Sequence, residues 1–194
     1  MGRNFRSDVL QVQQRLQTHF KFMFVRHPLQ RLVSTYRDKF TKSAYYYPHR
    51  FGRKIIRTVR GANASSQSLK RGHDVKFREM VQYLLDPRTT HVHDQLLLDN
   101  HWRQEHLLCH PCYIHYDFIG HYETLYEDAQ AVLQALGVTD RVRFPSKDPD
   151  NRWKKKTAEV SSEILTEISA DELQRVKELY KYDFELFGYD PNVL

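Results

Sequence analysis

The sequence has no glycine-rich loop. Its seven glycines are spread over 194 residues, and neither G-x-x-x-x-G-K-[ST] nor G-x-G-x-x-G occurs. Both of those loop-built phosphate cradles are therefore excluded. Cysteine is scarce: Cys109 and Cys112 are the only two, in the order C-H-P-C. A zinc site needs two further ligands at suitable spacing, with His106, His110 and His115 the nearest candidates; our expectation is no metal. No strand leads directly into the pair, which argues against thioredoxin-like chemistry. In a secretory lumen the two cysteines would form disulfides, with each other or with another part of a longer chain. No segment approaches the roughly 20 apolar residues that span a membrane. No signal peptide is visible at Met1, and there is no internal repeat or low-complexity tract.

What is present is a basic chain of ordinary core content. Hydrophobic residues make up 40%, the net charge is +6 and the pI is about 9.3. The length suffices for one domain with its own core. The positive balance implies an anionic partner: nucleic acid, membrane, nucleotide or polyanionic sugar. Eleven histidines would add charge at mildly acidic pH.

The chain is organised around FKFMFVRHPLQRLVSTYRDKF, residues 20–40. Phe20, Phe22 and Phe24 alternate with Lys21 and Met23 before Val25, which predicts a short, largely buried strand. Pro28 suits a first helical turn. Leu29, Leu32, Val33, Tyr36 and Phe40 then fall on one helical stripe. Strand, tight turn and helix put Arg26 at the carboxyl end of the strand, where open α/β sheets bind ligands. Ser34 lies about two turns into the helix, roughly 9–12 Å along. A guanidinium and a hydroxyl so spaced suit a phosphate at the helix start, or ordinary capping of a surface helix.

The run VRHPLQRLVSTYRDKF resembles the 3′-phosphate-binding segment of the Golgi carbohydrate sulfotransferases, closest to the chondroitin/dermatan 4-O-sulfotransferase group. The resemblance continues through HYDFIGHYETLYEDAQAVLQALGV and ELYKYDFELFGYD, in order, and covers most of the chain. It implies that Arg26 and Ser34 hold the 3′-phosphate of 3′-phosphoadenosine-5′-phosphosulfate, with His27, Pro28 and Arg31 contributing to the same segment. It implies an α/β, P-loop-like sulfotransferase fold: a small parallel sheet flanked by helices. That family has a Pro-Lys-x-Gly-Cys-Thr-like loop upstream for the 5′-phosphosulfate and an N-terminal membrane anchor. Neither is found before Phe20. The expectation is thus an N-terminally incomplete fold, residues 1–194 being the C-terminal portion of a single catalytic domain. Expressed alone, this portion is expected to be less stable than a longer chain and inactive in transfer.

The remaining segments read as follows. Val9, Leu10, Val12 and Leu16 predict an amphipathic helix capped at Ser7 or Asp8. Residues 51–60 carry Arg53, Lys54, Arg57 and Arg60 around Ile55, Ile56 and Val59. That pattern is either a helix with one solvated face or an electropositive wall for a sulfated or carboxylated glycan. Asn63-Ala64-Ser65 is an N-glycosylation sequon if the chain is luminal. Residues 76–85 predict a helix ended by Asp86-Pro87. The stretch DNHWRQEHLLCHPC resembles a family segment in which His-Trp precedes the cysteine pair, and His101 there is either the candidate base or a structural histidine on a surface loop. His91 and His93 belong to the same histidine-rich region. Residues 116–120 predict a second strand and 123–136 a helix ended by Gly137, a second strand-to-helix unit that implies a parallel sheet. A loop at 143–157 holds a basic run, Arg152 and Lys154 to Lys156, which is either a solvated surface loop or, as the resemblance implies, a second phosphate contact. Ser169 to Glu172 form a capping box opening a helix to Gly188.

The resemblance implies sulfuryl transfer from 3′-phosphoadenosine-5′-phosphosulfate to a glycan hydroxyl. The partner would be an anionic glycosaminoglycan or glycoprotein glycan, of chondroitin or dermatan type, on the luminal side of the Golgi membrane. The alternative is a non-catalytic remnant of that fold that binds anionic glycan or nucleotide. No nucleic-acid-binding motif is present, and nucleic acid is not expected as a partner.

Overall fold

The structure, a computed structural model, describes residues 5–42, 45–90, 99–145 and 157–193. His91, His93, Arg152 and Lys154 to Lys156 lie outside the described residues. In chain order the elements are α1 (Phe5–Thr18), β1 (Phe22–Val25), α2 (Pro28–Tyr36), α3 (Arg53–Arg60), α4 (Ser66–Arg71), α5 (Phe77–Leu85) and α6 (Pro87–Thr90). There follow α7 (Glu105–Cys109), β2 (Phe118–His121), α8 (Leu125–Ala135), α9 (Thr157–Leu165), α10 (Ala170–Leu179) and α11 (Lys181–Leu186). Two wide π-helical turns, Arg37–Lys42 and Pro48–Gly52, stand between α2 and α3. Among the described residues no helix is long and apolar enough to cross a membrane. The contacts divide the chain into two compact units, residues 1–26 with 105–151, and residues 27–104 with 152–194.

The first unit holds the sheet. β1 and β2 pair in parallel, Phe22 opposite Phe118 through Val25 opposite His121. Parallel pairing follows from two strand-then-helix segments wound the same way. Phe24 lies opposite Gly120, whose missing Cβ leaves room for that ring; a methyl there would come within 2.5 Å of it. The strand is shorter than residues 20–25 and is not buried on both faces: Met23 and Val25 are buried while Phe22 is 47% exposed. In a two-stranded sheet only one face of β1 finds cover. α1 also departs from expectation. It already includes Phe5, so Ser7 and Asp8 lie inside it, and Val9, Leu10, Val12 and Leu16 are all exposed.

The second unit carries the main core. Leu29, Leu32, Val33 and Phe40 form the expected stripe and pack with Ile55, Ile56, Phe77, Met80, Val81 and Leu84. α2 lies against α9, while α5 packs against α3 and α10. Ser169 accepts from the Glu172 N–H at 3.1 Å and the Glu172 carboxylate accepts from the Ser169 N–H at 2.8 Å, the expected capping box. The helix it opens breaks at Tyr180 into α10 and α11. Tyr180 is buried and donates its hydroxyl to the Trp102 carbonyl at 2.5 Å.

Glu172 also ties α10 to α5, accepting from Gln82 at 2.9 Å and Arg78 at 3.2 Å. Burial pushes its carboxyl up. The hydrogen bonds from Ser169, Gln82 and Arg78 outweigh burial and bring it from the ordinary 4.5 down to about 2. A carboxyl that binds its proton more weakly when folded stabilises the fold above its unfolded pKa. That contribution is lost as pH falls from about 4.5 towards 2. Glu172→Gln is therefore expected to cost about 2 kcal/mol at pH 7. The gap between parent and variant should close below pH 4.5 in urea melts. A gap independent of pH would remove the ionic part of this account.

Candidate functional site

Arg26 belongs to the first unit and sits at the carboxyl end of β1, as expected. Its guanidinium lies over the Tyr122 ring, 4.3 Å from the centroid. Its backbone N–H points at the Glu105 carboxylate, 3.4 Å away. Stacking of this kind orients a guanidinium.

The other residues assigned to the nucleotide segment lie in the second unit, and three of them turn inward. His27 is buried, 5.4 Å edge-to-face from both Phe184 and Tyr189, with Nε2 3.4 Å from the Asp190 carbonyl. Pro28 is buried as the first residue of α2. Arg31 donates to the carbonyls of Arg103 at 2.6 Å and Asn100 at 2.8 Å. His27 thus anchors the C-terminal segment, and Arg31 fastens α2 to the 99–104 turn.

Ser34 and His101 come together. With Thr35, Arg37, Asp38, Lys39 and Lys42 they line one open cavity of about 280 Å³. Three cationic side chains face one carboxylate there, so the cavity favours anions. Asp38 and Lys39 pair at 2.7 Å. The Lys39 hydrogen bond holds the Asp38 carboxyl below the usual carboxylate range, against the opposing effect of burial. The Lys39 ammonium also lies over the Tyr47 ring, 4.9 Å from its centroid.

His101 sits on a turn whose backbone is held from three sides. Thr35 Oγ1 donates to the His101 carbonyl at 2.9 Å, Arg31 holds the flanking carbonyls, and Trp102 is buried, 4.9 Å from the Phe51 ring. The His101 ring meets Asp99 and the Tyr47 hydroxyl. Sequence reasoning singles out His101 but not these partners. Asp99 stands two positions upstream, in the DNHW run already singled out. Tyr47 is 54 positions away, and no local signal joins it to the turn.

The basic helix divides. Lys54 and Arg57 are exposed on α3. Arg53 is half-buried and donates to the Leu69 carbonyl at 2.9 Å. Arg60 donates to Glu79 at 2.6 and 2.8 Å and to Asp74 at 2.6 Å, which raises its pKa further. Arg53 and Arg60 are thus tied to neighbouring groups, while Lys54 and Arg57 are exposed. Asn63 is exposed at the end of a 3₁₀ turn, and Ser65, the last residue of its sequon, caps α4 by accepting from the Ser68 N–H at 3.0 Å. Cys109 and Cys112 are not joined by a disulfide.

The sequence profile of the Sulfotransferase family matches residues 1–190. The chain belongs to the sulfotransferase family. Carbohydrate sulfotransferase 11 of Mus musculus is 44% identical over 186 residues, covering 95% of this chain and 51% of its own. Carbohydrate sulfotransferase 9 of Homo sapiens is 39% identical over 183 residues, covering 94% and 40%. Carbohydrate sulfotransferase 14 of Danio rerio is 38% identical over 179 residues, covering 92% and 46%. The chain spans about half the length of the curated relatives it matches. No solved structure matches it significantly. Family membership accounts for the α/β fold and its small parallel sheet.

Proposed function

We propose that this chain is the C-terminal portion of a carbohydrate sulfotransferase catalytic domain. It transfers a sulfuryl group from 3′-phosphoadenosine-5′-phosphosulfate to a glycan hydroxyl. The reading is carried by the 44% identity to a carbohydrate sulfotransferase over 95% of the chain, and the cationic cavity holding Ser34 and His101 supports it. Arg26 and Ser34 take the contacts to the 3′-phosphate that the resemblance implies. His101 takes the proton of the attacking hydroxyl. The acceptor is an anionic glycosaminoglycan or glycoprotein glycan of chondroitin or dermatan type, and the reaction runs on the luminal side of the Golgi membrane, with Asn63 glycosylated.

Sulfuryl transfer asks little covalent chemistry of the protein. As in phosphoryl transfer, the protein positions the groups in line and stabilises charge on the leaving phosphate. A base removes the hydroxyl proton as the new bond forms. A cavity with a surplus of cations beside a histidine suits both tasks. Isothermal titration of 3′,5′-bisphosphoadenosine into residues 1–194 tests the donor half of this reading. Saturable one-to-one binding is expected, and no heat at millimolar ligand would refute it.

The acceptor half rests on Lys54 and Arg57, two exposed cations one helical turn apart. Reversing both charges, Lys54→Glu with Arg57→Glu, should lower the salt needed to elute the protein from a chondroitin column. Surface attraction of this kind is screened over about 8–10 Å at physiological salt. Elution at the parent's salt concentration would make the run a plain solvated face.

A further inference from the structure

His101 makes two contacts through a single ring nitrogen. Its Nδ1 lies 2.5 Å from Asp99 Oδ1 and 2.9 Å from the Tyr47 hydroxyl. Asp99 Oδ1 also accepts from the His101 backbone N–H at 3.0 Å, and the Asp99 side chain is only 15% exposed. An ionised carboxylate can only accept. Nδ1 must therefore carry the hydrogen of the neutral ring, and Nε2 is left with its lone pair. Tyr47 is itself fixed, stacked on Phe51 with centroids 5.7 Å apart. Neither Asp99 nor Tyr47 lines the cavity, whereas His101 does. Both contacts engage Nδ1, so Nε2 is the ring nitrogen they leave unoccupied.

We infer that Asp99 is a positioning residue. It holds His101 in the Nδ1–H tautomer, with Tyr47 as a second clamp, so that Nε2 receives the proton of the acceptor hydroxyl. The inference rests on the reading of His101 as the base. In the step, the sugar O–H bond breaks and its proton passes to Nε2. The sugar oxygen forms the new bond to sulfur, and the bond from sulfur to the donor's phosphate oxygen breaks. That electron pair leaves on 3′,5′-bisphosphoadenosine. The imidazolium that results is a cation 2.5 Å from Asp99, so the same carboxylate offsets the charge that builds up during transfer.

Nitrogen-15 NMR of histidine-labelled protein tests the placement without any activity. The His101 ring should show Nδ1 protonated and Nε2 unprotonated in its neutral form. In Asp99→Asn, whose side-chain amide can donate, the balance should move towards the Nε2–H tautomer. A parent ring already in the Nε2–H form, or a tautomer unmoved by the substitution, would overturn the inference. The second arm measures transfer by the longest product of the gene. Asp99→Asn should lower kcat on the order of 100-fold with KM for donor and glycan unchanged, and Tyr47→Phe should show a smaller loss of the same kind. A tautomer that shifts while kcat stays at the parent value would sink the reading of His101 as the base and leave Asp99 as an ordinary turn contact. Equal losses in kcat and in donor affinity would assign Asp99 to the binding surface and overturn the positioning role.

Discussion

Arg26→Ala is expected to weaken binding of 3′,5′-bisphosphoadenosine by tenfold to a hundredfold. A charge-assisted hydrogen bond to phosphate contributes roughly 1.5–3 kcal/mol, and each 1.4 kcal/mol is a factor of ten. Ser34→Ala should cost about 1 kcal/mol, the loss of one neutral donor. Arg26→Lys separates charge from shape. It keeps the cation but loses the flat fork over Tyr122, so its affinity should fall between parent and Arg26→Ala. Calorimetry giving parent affinity for both alanine variants would remove the nucleotide assignment from this segment.

The largest expected effect on stability comes from one methyl group. Gly52 ends the wide turn before α3 and faces Gly72, the residue that closes α4. A Cβ on Gly52 would stand 2.1 Å from the Gly72 carbonyl oxygen and 3.0 Å from its carbon. Both obstacles are backbone, so no rotamer change relieves them. The constraint is reciprocal: Gly72 has φ +70, and a Cβ there would meet the Pro48 carbonyl at 2.1 Å and the Arg53 nitrogen at 2.8 Å. Gly52→Ala must therefore push apart two backbone segments that also carry the basic face of α3. Overpacking costs about 1–3 kcal/mol where side chains absorb it, and here they cannot. We expect about 3 kcal/mol and a fall of roughly 10 °C in Tm. A melt within 2 °C of the parent would mean that the turn and α4 separate at little cost.

How much of this was legible beforehand follows from the range of each signal. Pro28 opening a helix, the Ser169–Glu172 capping box, the strand at Phe22–Val25 and its parallel partner at Phe118–His121 are written within a few residues of themselves. They came through with shifts of one or two positions. The break at Tyr180 was not legible, because the apolar stripe runs on through Phe184 and Phe187. At the break Tyr180 leaves helical backbone angles, with φ −99 and ψ 14, and its buried hydroxyl reaches the Trp102 carbonyl, 78 positions away. The site divides in the same way. Arg26, Ser34 and His101 could be named from local runs. The partners of Arg60, Asp74 and Glu79, stand 14 and 19 positions on, beyond the reach of a local pattern. The aromatic neighbours of His27, Phe184 and Tyr189, lie at the far end of the chain. α1 failed in the opposite sense: its periodicity is amphipathic, but the apolar residues face solvent in the structure.

Sulfuryl transfer to a sugar is measured most directly as incorporation of labelled sulfate from 3′-phosphoadenosine-5′-phosphosulfate into desulfated chondroitin. The assay uses the longest product of the gene, beside its Arg26→Ala and His101→Ala variants. Incorporation should need both donor and glycan, and should fall about 10²–10⁴-fold in His101→Ala. A well-folded protein that binds the donor nucleotide and the glycan column, yet incorporates no label, would contradict sulfuryl transfer and leave a binding protein built on the same fold.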